Sequence, residues 1–260
     1  MNVFILTDLE GIAGVTDIEF MDRTGEKYAL GRKLLSHSID LAVKTCFDAG
    51  AKTVYYLDGH GGGGNVLEEL IDARAVKCDI PTWQELLRTG KVDCQIELGS
   101  HARAGTVGGF LDHTLSSKLF FAYKINDVEM SELSMHALVA TAHGVPIIAC
   151  IGDEAACRQA KEYIPEIVTG AVKHADCRNL AQDYENADEI LVGAVKKALA
   201  NRDQISLYRT AEPAVVELTY YRTDMCEHTY AHCGENVTRV DARTLRKTVE
   251  KINDYYDLKF

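Results

Sequence analysis

The chain has eight cysteines, yet no two of them stand in a C-x-x-C pair. Neither a dithiol redox motif nor a zinc-finger module can be built from that spacing. Basic residues are in deficit: 28 Lys and Arg stand against 39 Asp and Glu, a formal charge of −11 over 260 residues. That balance argues against nucleic acid and anionic membrane as partners, since both are held by basic surface. No apolar run approaches the roughly 20 residues of a membrane-spanning helix. No basic segment followed by an apolar stretch opens the chain, so the expectation is a cytoplasmic protein with reduced thiols. Proline is scarce, at four residues, and no repeat or low-complexity tract stands out.

What is present is an ordinary globular composition, 47% apolar and 26% charged, in a length that suits one large domain or two small ones. Residues 2–7 read as a buried strand, 27–49 as a helix stopped by Gly50, and 53–57 as a second strand. Strand, helix, strand in that order predicts a right-handed crossover and a parallel sheet. Further strands are expected at 94–98, 146–151, 167–172, 214–221 and 237–241. A hairpin is expected over 119–131, with Asn126-Asp127 near its tip. Helices are expected over 66–73, 132–143, 153–163, 183–200, 223–232 and 242–256. The expected fold is α/β, a mostly parallel central sheet flanked by helices with a smaller C-terminal α/β part. The loop 201–212 divides residues 1–200, which hold the candidate site, from residues 201–260.

The chemistry lies at strand ends. The first strand runs into Asp8-Leu9-Glu10-Gly11, the second into Asp58-Gly59-His60 and a run of four glycines, the third into Gly99-Ser100-His101. Asp8 and Glu10 are two residues apart, so an extended backbone points both the same way. Taken alone, each piece has an ordinary explanation: a solvated acidic turn, a polar turn histidine, a flexible glycine loop. In an open α/β sheet, however, the functional crevice lies outside the carboxyl ends of the strands. Glu132 adds a further carboxylate where the hairpin enters its helix, although a helix start is also a favourable place for any carboxylate. Carboxylate and imidazole ligands without thiolates suit catalytic zinc. Asp8, Glu10, His60, His101 and Glu132 are too many for one open zinc centre, and they fit a two-metal site in which Asp8 bridges. Cys226, His228, His232 and Cys233 form a second cluster, but without zinc-finger spacing.

Asp8-Leu9-Glu10-Gly11-Ile12, Asp58-Gly59-His60, His101-Ala102-Arg103-Ala104, Asp112-His113-Thr114 and Ile125-Asn126-Asp127 running to Glu132-Leu133 come in an order that resembles the DppA-type D-aminopeptidase family of zinc metallopeptidases. The resemblance runs from the first strand to the last helix and is loosest in the C-terminal third. Thr106-Val107-Gly108-Gly109 stands where the family often carries Pro-Gly, and Ser131 where it often has Gly. The resemblance implies a di-zinc aminopeptidase with Asp8, Glu10, His60, His101 and Glu132 as ligands and His113 as the catalytic histidine. It also implies a ring-shaped homo-oligomer, decameric in the family.

The reaction expected on this basis is release of the N-terminal residue of short peptides, D-amino-acid peptides among them, by a hydroxide that two zinc ions activate. Arg103 is a candidate clamp for the carboxylate of the peptide, with a structural salt bridge as its other reading. Asp58 either orients His60 or makes a turn. A two-metal phosphoesterase or amidohydrolase, and a degenerate metal-binding ring protein, stay open as alternatives. A phosphoesterase would be expected to bring more Lys and Arg to the site than these motifs supply.

Overall fold

The central strands are rich in apolar residues, and the computed structural model, which describes residues 1–260, buries them on both faces. β1 (Asn2–Thr7), β4 (Cys94–Ser100) and β7 (Ile147–Asp153) are almost wholly inaccessible. Near-continuous burial of this kind is the mark of a parallel sheet covered by helices on both sides. In chain order the elements are β1, α1 (Glu26–Asp48), β2 (Thr53–Asp58), β3 (Val76–Cys78), α2 (Ile80–Arg88), β4, β5 (Phe120–Ile125), β6 (Val128–Glu129) and α3 (Glu132–Ala142). β7, α4 (Glu154–Tyr163), β8 (Val168–Cys177), β9 (Leu180–Asp183), α5 (Ala187–Asn201), β10 (Ala214–Tyr220), α6 (Thr223–Tyr230), β11 (Val237–Arg239) and β12 (Thr244–Val249) follow.

Seven strands form one sheet in the order β3-β2-β1-β4-β7-β8-β9, parallel except for the edge strand β9. The other five form an antiparallel sheet, β11-β12-β10-β5-β6. The expected α/β architecture with a mostly parallel sheet and a smaller second part is what the chain forms. The smaller sheet draws β5 and β6 from the middle of the chain, so it does not begin at residue 201. The hairpin turns at Asn126 and Asp127, both with positive φ, the geometry of a tight two-residue connection.

Several expected elements differ. The helix expected over 242–256 is the strand β12 followed by a short 3-10 turn at Tyr255–Leu258. Leu245 and Lys247 face inward while Arg246 and Thr248 face out, a period of two, and β10 and β11 supply the backbone partners. The expected helix over 66–73 is only a 3-10 turn at Glu68–Leu70. β3 and α2, which lie beyond it, have no counterpart in the sequence reading. α2 starts on an Asp79 side chain that accepts from the amide of Thr82, with Pro81 in its first turn. β8 runs on to Cys177, and β9 occupies the residues before α5, which starts at Ala187 rather than Asp183.

Candidate metal centre

β1 lies between β2 and β4 and parallel to both, so the three carboxyl ends share one edge. The turn after β1 rests directly on the end of β4. The amide of Asp8 donates to Leu98 O and that of Gly11 to Gly99 O, each at 2.8 Å. Glycine is required for this approach: a Cβ on Gly99, whose φ is +80, would lie 2.0 Å from the carbonyl oxygen of Asp8. This contact sets Asp8 beside His101. β2 delivers His60 just ahead of the glycine run, a loop that Asp58 closes by accepting from the Asn65 amide at 2.6 Å and side chain at 2.9 Å. Asp58 therefore makes a turn and does not touch His60. Glu132 is the first residue of α3, capped by Ser131, where the positive end of the helix favours a carboxylate.

Five sequence-predicted ligands and His113 meet here. Asp8 spans the site: Oδ1 is 3.0 Å from His60 Nδ1, and Oδ2 is 3.2 Å from His101 Nε2. Glu10 Oε2 lies 2.9 Å from the same His60 nitrogen. Glu132 Oε1 is 3.5 Å from His101 Nε2 and 3.8 Å from His113 Nε2. Ligand atoms of Asp8, Glu10 and His60 lie within 4.8 Å of one another, and so do those of His101, His113 and Glu132. These are two adjacent triads, with Asp8 reaching from one into the other.

The tautomers follow from carbonyls, which only accept. His101 Nδ1 donates to Ala102 O at 3.0 Å and His113 Nδ1 to Leu111 O at 2.8 Å. Each Nε2 is thereby turned toward Glu132. His101 Nε2 is buried and makes no hydrogen bond, although two carboxylates stand close to it. A buried nitrogen of this kind calls for a partner, and a cation among these carboxylates supplies one.

The electrostatics carry the same message. Burial opposes ionisation of Asp8, but the His101 and His60 imidazoles outweigh it and hold the carboxyl well below its usual range. Burial likewise opposes charge on Glu132, yet the cationic His101 beside it brings its pKa down to about 2. Burial works against protonation of His60, and the Glu10 and Asp8 carboxylates overcome it, raising the pKa to about 11. His101 is raised well above its ordinary value in spite of burial, chiefly by Glu132 and Asp8. The acidic cluster thus demands positive charge, and protons on the imidazoles meet the demand where metal does not.

The cluster forms the floor of a cleft of about 720 Å³. Leu111 and Leu115 line it on either side of His113 and both have positive φ, a conformation that is an outlier for such a side chain. Leu115 also donates its amide to Glu132 at 2.8 Å. Arg23, Lys118 and Arg178 line the cleft too. Sequence reading missed these residues, because nothing local marks a loop residue that only the fold brings to the site. Arg103 is not among the lining residues: it pairs with Glu162 at 3.1 Å and Glu129 at 3.4 Å, the structural salt bridge. His232 Nδ1 donates to His228 O, and that segment assembles no metal triad.

Behind the cluster runs a buried relay. Trp83 Nε1 donates to Gln95 Oε1, Gln95 Nε2 donates to Glu97 Oε1, and His136 Nδ1 lies 3.2 Å from Glu97 Oε2. Glu97 and His136 share a small cavity of about 60 Å³ with Asp8, His101 and Glu132. On the other flank Lys173, fully buried, donates to the carbonyls of Glu10, Ile12 and Val15 and so fixes the loop that carries Glu10.

Comparison with known proteins shows the family of the chain. A D-aminopeptidase of Bacillus subtilis strain 168 is 27% identical over 227 residues, which cover 85% of this chain and 81% of that protein. A solved structure described as the Zn-dependent D-aminopeptidase DppA from Bacillus subtilis, a self-compartmentalizing protease, matches with a TM-score of 0.90. The match covers 99% of this chain and 95% of that one at 23% identity, and the two share a fold. The model of the M55 peptidases, described as D-aminopeptidase, matches residues 1–259, and the chain belongs to that family of aminopeptidases.

Proposed function

We propose that this protein is a zinc-dependent aminopeptidase that removes the N-terminal residue of short peptides, peptides of D-amino acids included, with two zinc ions in each chain. The observation that carries the reading is Asp8, whose two carboxylate oxygens serve separate triads. His60 and Glu10 complete one set of ligands, and His101 and Glu132 the other. The orphaned Nε2 of His101 and a donor set of carboxylates and imidazoles fit zinc. Bound zinc supplies a water of lowered pKa and polarises a carbonyl oxygen.

The protein's own groups do the rest. Leu111 holds His113 by Nδ1, leaving Nε2 at the cleft side to hold a proton. From there it stabilises the developing oxyanion and hands the proton to the leaving amine. Ser131 and the first turn of α3 hold Glu132. The ammonium of Lys173 keeps the loop that carries Glu10 in place. An assembly of like chains is supported by the self-compartmentalizing description of the structural relative, and we propose that it closes as a ring. No helix is long and apolar enough to cross a membrane, and we place the activity in the cytoplasm. The division of the chain at residue 200 is kept as a working proposal for the smaller C-terminal part.

The test is zinc content together with hydrolysis of D- and L-aminoacyl p-nitroanilides and of a phosphate ester. The reading expects about two zinc per chain and peptidase-type activity that chelation removes and zinc restores. Phosphate release without any cleavage of aminoacyl substrates would overturn it.

A further inference from the structure

The floor of the cleft is acidic and the whole chain carries −11, yet three cationic side chains line the same cleft. They come from separate loops and they are not equivalent. Arg178 is neutralised: its Nε lies 3.1 Å from Asp112 Oδ1. Arg23 is anchored but not neutralised. Its Nη2 donates to Gly61 O at 2.9 Å, Gly63 O at 3.1 Å and Asn65 Oδ1 at 3.4 Å. All three acceptors are neutral, so a fixed guanidinium with free N–H groups stands over the loop that carries His60. Lys118 is exposed, in the segment that follows His113 and Leu115, and has no carboxylate within ion-pairing distance. An uncompensated cation therefore sits on each of the two loops that frame the candidate metals.

We propose that Arg23 and Lys118 form the subsite for the terminal carboxylate of the substrate. The group they hold is the carboxylate of a dipeptide, on the residue that follows the scissile bond. This rests on the aminopeptidase reading above. A planar guanidinium held in place offers paired N–H donors to a carboxylate, and a flexible ammonium closes on the same group. Arg103, the other basic residue near the motifs, is spent on Glu129 and Glu162. The C-terminal carboxylate is preferred over an acidic side chain because every dipeptide presents it on the residue next to the scissile bond, whatever its side chains.

The experiment uses the zinc-loaded protein and a matched pair of dipeptides, one with a free carboxylate and one with a C-terminal amide. The wild type is expected to prefer the acid in kcat/KM by about ten- to a hundred-fold, the worth of one charge-assisted hydrogen bond. Lys118→Met and Arg23→Met each bring that ratio toward one, and Lys118→Glu inverts it. Zinc content is measured alongside, since Arg23→Met also frees the Gly61–Gly63 loop. Equal cleavage of acid and amide by the wild type overturns the subsite and leaves the aminopeptidase reading standing. So does a ratio that the substitutions leave unchanged. Preference for an acidic side chain with no regard to the terminus assigns the cations to another group and also overturns it. No cleavage of either dipeptide overturns that reading and the subsite with it.

Discussion

The rings of His101 and His113 stack face to face, with centroids 4.0 Å apart and planes 6° from parallel. Each is held by its Nδ1 on a backbone carbonyl, so the two Nε2 atoms converge on one carboxylate, that of Glu132. Access separates them. His101 is buried and borders the small inner cavity, whereas His113 is half-buried and lines the larger cleft. A nitrogen shut away from substrate suits a metal, and one at the cleft wall suits proton transfer.

His113→Ala is accordingly expected to keep both zinc ions and to lower kcat by about 10²- to 10⁴-fold, the usual worth of a placed acid or base. Zinc analysis of the purified variant beside its kinetics decides the matter. Loss of one zinc, with activity falling in proportion, would make His113 a ligand instead.

Stripping the metal should leave a protein whose stability depends on pH in a defined sense. His60 rises from 6.5 to about 11, so its contribution is whole below 6.5 and is lost as pH climbs through about 11. Glu132 falls from 4.5 to about 2, so its contribution is whole above 4.5 and is lost as pH falls through about 2. Urea melts of the stripped protein should therefore show stability decreasing from about pH 7 toward about pH 10, less steeply in His60→Gln. Zinc must displace imidazole protons, so loading in weak buffer should acidify the solution. No proton release at neutral pH would contradict this.

The cluster at the strand ends was legible because a parallel sheet brings carboxyl ends together whatever the loops do. Asp8, Glu10, His60 and His101 needed only the βαβ pattern to be read as neighbours. Thr244–Val249 was not legible: Leu245 and Val249 are also spaced as on a helix, and only pairing with β10 and β11 makes the segment a strand. α2 was missed because it is a nine-residue helix, too short for a firm period. Arg103 misled for a simple reason. It stands two residues after His101, but the chain turns there and its guanidinium leaves the site for Glu162 and Glu129. Arg23 and Lys118 carry no motif at all, and their meaning comes from which other charges are already paired.

Lys173→Met is expected to destabilise the protein by about 3 kcal/mol or more, since three buried carbonyls lose their donor. The loop carrying Glu10 loosens with them, so zinc affinity should fall as well. Denaturation midpoints with and without zinc test this. An unchanged midpoint would mean that water replaces the ammonium at no cost.

Gly99→Ala should fail for steric reasons alone. The new Cβ would meet the Asp8 carbonyl at 2.0 Å in a backbone with φ +80, so the β1 turn must lift from β4. Losses of about 3 kcal/mol or more in stability and of bound zinc are expected, read by thermal melting and metal analysis. A variant with normal zinc content would show that the close approach is dispensable.

Asp8 is the residue shared by both triads, and zinc per folded chain in Asp8→Asn measures that most directly. Elemental analysis of monodisperse wild type and variant, with folding checked by circular dichroism, should give about two zinc per chain in the first and essentially none in the second. A folded Asp8→Asn protein that still holds its full complement of zinc would contradict the bridging role.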